Sequence, residues 1–94
     1  RLQDFPTDTS REILLDLAAS PAAINGLMAG LSGKVVKLDQ TDGLRIFLEG
    51  DEIVHFRPSG NAPELRCYAE SATQERSEYL VQASLQRMQT KRVV

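Results

Sequence analysis

The sequence predicts an α+β domain in which a four-stranded, mainly antiparallel sheet carries helices on one face. Three observations carry that expectation. Apolar residues recur at helical spacing near both ends, the pattern changes to short strand-like runs after Gly33, and glycine-bearing tight turns separate those runs. A length of 94 residues suits a single domain spanning 1–94. With 41% hydrophobic and 26% charged residues, the composition is that of a folded chain and excludes a disordered one.

Residues 1–7 are polar, contain Pro6 and read as an entering linker. Thr9 and Glu12 stand at capping-box spacing, and Ile13, Leu14, Leu17 and Ala18 follow at helical intervals, which predicts a helix over about 9–19. Ser20-Pro21 predicts an N-cap with proline in the first turn of a second, short helix ended by Gly30 or Gly33. Asn25 and Gly26 make that helix intrinsically weak. Strands are expected over 35–38, 44–48, 53–56 and 65–69. Asp42-Gly43 predicts a two-residue hairpin turn with positive φ at both positions, and Gly50-Asp51 the glycine-first variant. Thr73 then caps a closing helix to about residue 90, with Leu80, Val81, Leu85 and Met88 as its buried stripe.

Strand parity divides the sheet into two faces. Val36 and Leu38, Leu44, Ile46 and Leu48, Val54 and Phe56, and Leu65, Cys67 and Ala69 form the apolar set expected beneath the helices. Lys37, Arg45, Phe47, Ile53, His55, Arg57, Arg66, Tyr68 and Glu70 form the alternate, working face.

Charge narrows the partners. Eleven basic against thirteen acidic residues give −2, which supplies no bulk attraction to nucleic acid or to an anionic membrane. Phe47 and Tyr68 are placed as RNA-binding aromatics would be, but no basic stripe or aromatic RNA signature accompanies them. No apolar run approaches the ~18–20 residues of a membrane span, and no signal-peptide pattern opens the chain. The single cysteine cannot form an internal disulfide and fits a reducing compartment, so a cytoplasmic location is expected. The chain opens on Arg1 and reads as a piece of something longer.

Specific chemistry concentrates in Arg57-Pro58-Ser59-Gly60-Asn61-Ala62-Pro63, followed by Leu65-Arg66. A phosphate monoester needs several donors converging from a rigid frame and at least one fixed cation. Arg57 offers a planar five-donor fork that never deprotonates. Ser59 and Asn61 add donors, Gly60 permits close backbone approach, and the prolines brace the loop. Arg66 shares the face of Arg57, so both heads can reach one anion. The same composition also suits a plain connector, because Pro, Ser, Gly and Asn are the usual turn formers. Elsewhere, His55 reads as a surface strand histidine and Cys67 as a packing residue. Asp39, Asp42, Asp51 and Glu52 read as turn chemistry rather than a metal site, and Glu70, Glu75 and Glu78 as a solvated helix start.

The runs Asp42-Gly43-Leu44-Arg45-Ile46, Ile53-Val54-His55-Phe56-Arg57-Pro58-Ser59-Gly60 and Pro63-Glu64-Leu65-Arg66-Cys67-Tyr68-Ala69-Glu70 resemble the C-terminal, fourth domain of the α-D-phosphohexomutases. That family's loop usually reads Arg-Pro-Ser-Gly-Thr-Glu-Pro, and here Asn61 and Ala62 replace the threonine and glutamate, removing a carboxylate. The Asn-Ala-Pro version resembles the bacterial phosphomannomutase branch, with the phosphoglucomutase and phosphoglucosamine mutase branches as alternatives.

The resemblance implies a TATA-box-binding-protein-like fold. It also implies that Arg57, Ser59, Gly60, Asn61 and, more weakly, Arg66 bind the phosphate of a mannose or glucose phosphate. It implies a magnesium-dependent parent enzyme whose phosphoserine exchanges phosphoryl groups with a bisphosphorylated sugar. No catalytic residue and no metal ligand is expected in this chain, because neither the serine loop nor the aspartate-rich metal loop occurs in it. The chain alone is therefore expected to be inactive. A non-enzymatic interaction module, with the loop as connector, is the reading from a different class.

Overall fold

The computed structural model describes residues 1–93. In chain order it comprises α1 (Thr7–Ala19), α2 (Pro21–Met28), β1 (Val35–Asp39), β2 (Leu44–Leu48), β3 (Glu52–Pro58), β4 (Leu65–Glu70) and α3 (Gln74–Val93). The strands form one sheet in the order β1-β2-β3-β4, antiparallel throughout. α3 packs chiefly on β4, α1 on β3 and α2, and α2 reaches β1. Leu44, Ile46, Leu48, Val54, Phe56 and Leu65 point into the layer between sheet and helices, where Leu14, Leu17, Ile24, Leu27, Leu80 and Met88 meet them.

Local chemistry accounts for the helix ends, with one correction. The Ser20 side chain accepts from the Ala23 N–H at 3.2 Å, and Pro21 occupies the first turn. Thr73 Oγ1 accepts from the Arg76 N–H at 3.1 Å and starts α3. The Thr9–Glu12 capping box does not form. α1 begins two residues earlier, after Pro6, without a side-chain cap. The Pro6 backbone is extended, at φ −56° and ψ 141°, and its carbonyl already accepts from the Ser10 N–H at 2.9 Å.

The weak helix α2 is completed from outside. Arg87 Nη1 on α3 donates to the carbonyls of Leu27 at 2.8 Å and Ala29 at 2.6 Å, capping its C-terminal end. A second arginine ties the layers together. Arg76 at the start of α3 bonds both Glu52 carboxylate oxygens, at 2.9 and 3.0 Å, and also donates to the Leu31 carbonyl. Ser32 donates to the same carboxylate at 2.6 Å. These bonds hold the Glu52 carboxyl below its ordinary range, with the Arg76 bond as the largest cause.

Both predicted two-residue turns are corrected. β1 ends at Asp39 and β2 begins at Leu44, so the first connection spans residues 40–43, and Gly43 at φ 69° is its only residue in the left-handed region. Asp39 accepts from the backbone and hydroxyl of Thr41 at 2.8 and 2.6 Å, a side-chain turn that competes with the minimal hairpin. In the second, Gly50 and Asp51 both have positive φ, 82° and 60°, between the paired Leu48 and Glu52. Aspartate tolerates that region better than most residues.

Val36 is the exception to strand parity. The β1–β2 register shifts between Val35 and Lys37, and this bulge turns Val35 toward the core while Val36 is 63% exposed. The segment expected as an entering linker is docked. Leu2 exchanges both backbone hydrogen bonds with Leu65, at 2.8 and 2.9 Å, and Phe5 is fully buried in the core.

Candidate functional site

The sequence-predicted residues gather at one end of the β3–β4 hairpin. Arg57 and Arg66 are register partners there, and Pro58 pairs with Leu65 to close the loop of residues 59–64. The Ser59 N–H donates to the Glu64 carbonyl at 2.9 Å, and the Glu64 N–H donates to Ala62 at 2.8 Å. Ser59 itself is buried, and its Oγ accepts from the Asn61 N–H at 3.3 Å. The hydroxyl proton of Ser59 is thereby left for another acceptor.

The docked N-terminal segment braces this loop from behind. Phe5 N–H donates to the Pro63 carbonyl at 2.7 Å, and Thr7 Oγ1 donates to the Ser59 carbonyl at 3.2 Å. Sequence reasoning missed this brace. Its available signal was the pair of apolar residues, Leu2 and Phe5, inside an otherwise polar stretch. Gly60 and Asn61 form the exposed tip. Neither the Gly60 N–H nor the Asn61 amide side chain has a partner among the described residues. A Cβ on Gly60 would meet nothing within 4 Å, and its φ lies outside the left-handed region, so the fold does not require glycine there.

Each arginine has an acidic neighbour. Arg57 Nε lies 3.2 Å from Asp42 Oδ2, and Arg66 Nε lies 3.9 Å from Glu64 Oε2, which Arg1 Nη1 also approaches at 3.6 Å. Three guanidiniums thus meet two carboxylates, leaving the cluster cationic. The Asp42 contact exists because Gly43 lets the β1–β2 loop lie against β3. A Cβ on Gly43 would fall 2.2 Å from the Phe56 carbonyl oxygen, which only glycine avoids. His55 Nε2 is 2.6 Å from the Asp42 carbonyl, and because a carbonyl only accepts, that nitrogen carries the proton.

Beside this cluster, a shallow groove of about 330 Å³ runs over the open sheet face between Arg45, His55, Arg57 and Tyr68. The His55 and Tyr68 rings are 6.0 Å apart, and Lys37 covers the Phe47 ring at 4.5 Å. Cys67 stands apart from this chemistry, since burial pushes its thiol up to about 12. Among the described residues, no group of three or more His, Cys, Asp or Glu could hold a metal ion. No helix among them is long and apolar enough to cross a membrane.

Residues 11–86, which include the whole loop, match the family of the phosphoglucomutase/phosphomannomutase C-terminal domain. The chain belongs to that family. Two relatives share it over nearly the full chain. A protein of Sinorhizobium fredii (strain NBRC 101917 / NGR234) named phosphomannomutase is 42% identical over 85 residues, covering 90% of this chain and 18% of its own length. One of Salmonella muenchen, also named phosphomannomutase, is 47% identical over 92 residues, covering 97% of this chain and 19% of its own. The chain therefore spans less than a fifth of the length of these relatives. In this family member, the expected α+β sheet-and-helix architecture is the one observed.

Proposed function

We propose that this domain binds the phosphate ester of a hexose phosphate in a phosphohexomutase, and that the complete enzyme interconverts mannose 1-phosphate and mannose 6-phosphate. The observation that carries the proposal is the pairing of Arg57 with Arg66 beside a braced loop whose tip offers unpaired Gly60 and Asn61 donors. Names and identities of the relatives favour the mannose sugar over the glucose or glucosamine alternatives.

In this reading, Arg57 supplies the fixed charge, Arg66 a second cation, and Gly60 N–H, Asn61 and the Ser59 hydroxyl the remaining donors. The site holds the phosphate that is not reacting. A bisphosphorylated sugar that turns over between two transfers presents either end to one rigid anion site, which positions the other end for chemistry. Closure of the domain onto the sugar shields that transfer from water. The transfer chemistry belongs to the remaining domains, and the chain alone is expected to have no turnover. Among the described residues, no cluster of carboxylates fits a magnesium site. Magnesium dependence and a cytoplasmic location belong to the proposal for the complete enzyme.

Hydrogen bonds to charged groups contribute roughly 1.5–3 kcal/mol each, so two arginine contacts give a millimolar-class affinity once ordering costs are subtracted. The test is Arg57→Ala in the complete enzyme, assayed for hexose phosphate interconversion. An anion ligand predicts a loss of about 10- to 150-fold in kcat/KM with unchanged folding. A plain connector predicts no loss, and that result would overturn the reading.

A further inference from the structure

We propose that Asp42 is a positioning residue that aims Arg57 at the phosphate, an inference resting on the functional reading above. The carboxylate of Asp42 lies 3.2 Å from Arg57 Nε. A guanidinium approached at Nε keeps the pair of Nη groups for another acceptor, and that pair matches two oxygens of a phosphate. Arg57 is about half exposed, so without a fixed neighbour its head would sample many rotamers and lose that order on binding.

Asp42 is itself fixed twice over. Its carbonyl accepts from His55 Nε2 at 2.6 Å, and the adjoining Gly43 packs its backbone against Phe56. Because His55 and Arg57 lie on the same face of β3, one aspartate bonds both, through its main chain and its side chain respectively. The loop between β1 and β2 thereby holds Arg57 from the side of Asp42.

The test is Asp42→Asn in the complete enzyme with mannose 1-phosphate as substrate, compared with Arg57→Ala and with the double variant. Asparagine keeps the main-chain bond to His55 and the turn chemistry while removing the charge. The expected result is a KM raised about five- to tenfold with kcat little changed, because positioning for a non-reacting phosphate affects ground and transition states alike. Thermal stability should be unchanged, and Asp42→Asn should add nothing in the Arg57→Ala background. Asp42→Glu, which keeps the charge, should recover part of the KM. An unchanged or lowered KM in Asp42→Asn, with Arg57→Ala still impaired, overturns the positioning role and leaves the phosphate reading standing. Equal damage from Asp42→Glu and Asp42→Asn, or additivity with Arg57→Ala, assigns Asp42 to loop structure and also overturns it. If Arg57→Ala is itself unimpaired, the phosphate reading has failed.

Discussion

Arg57 and Arg66 face each other directly across the β3–β4 ladder. Like charges at paired positions destabilise a sheet, and here each guanidinium is only partly offset, by Asp42 at 3.2 Å and Glu64 at 3.9 Å. A pairing that costs stability unless an anion sits between the heads is the kind of compromise expected at a binding site. Arg66→Gln should therefore leave the melting temperature unchanged or slightly raised. In the complete enzyme it should weaken hexose phosphate binding by about tenfold or more. Calorimetry and steady-state kinetics on the same preparation check both halves.

Gly60 separates a ligand site from a connector by a second route. Its Cβ position is open and its φ is ordinary, so Gly60→Ala should be neutral or stabilise by roughly 0.4–1 kcal/mol through the unfolded chain. If its N–H must approach a phosphate closely, the added methyl should raise KM at the same time. A variant that is more stable and binds less well is the expected outcome, read by thermal denaturation and substrate titration.

How much of this was legible in the sequence follows from how far each feature reaches along the chain. β2 is found over the residues its alternation marks, and the shared face of Arg57 and Arg66 follows from parity, because both are local properties. Val35 and Val36 are chemically alike, so nothing in the side chains marks the bulge that exchanges their faces. Asp42-Gly43 does mark a turn, but the Asx turn at Asp39 lengthens it, and only the tertiary approach of Gly43 to Phe56 brings Asp42 to Arg57. The docking of Leu2 and Phe5 against the Pro63–Leu65 stretch is likewise a long-range pairing. A polar stretch with two apolar residues cannot announce its partner.

Arg87 replaces a missing local cap, and its removal should show in stability. α2 carries Asn25 and Gly26 and has no basic residue in its last turn, so its C-terminal carbonyls depend on the guanidinium from α3. Arg87→Ala should cost about 1–2 kcal/mol in thermal or urea denaturation. Arg87→Lys should recover only part of that, since a compact ammonium on a flexible stem replaces a preorganised planar fork.

Glu52 should carry much of the response to acid. Its carboxyl is held below the ordinary range by Arg76 first and Ser32 second. A carboxylate with a lowered folded-state value contributes stability that is fully present above the ordinary value of 4.5 and is lost as pH falls through the lowered one. Glu52→Gln should therefore reduce the melting temperature at pH 7 and flatten its decline below pH about 4.5. Melting curves of the two proteins should converge at low pH. Parallel curves down to pH about 3 would show that the Arg76 contact contributes nothing to acid sensitivity.

Ser84 offers the opposite sign. It sits on α3, fully buried, and its hydroxyl has no hydrogen-bond partner among the described residues. A buried hydroxyl left unpaired loses its water without compensation, at about 1–3 kcal/mol. Alanine removes that group, and it is also the better helix former by up to about 0.7 kcal/mol. Against this stands the small void left by one oxygen atom, whose lost contacts are worth a few tenths of a kcal/mol. The balance favours the substitution. Ser84→Ala should raise stability by about 1 kcal/mol, which for a domain of this size is roughly 4–8 °C in melting temperature. A fall instead would mean that the hydroxyl is satisfied, for instance by an ordered water, and a high-resolution crystal structure of the unmodified chain would reveal it.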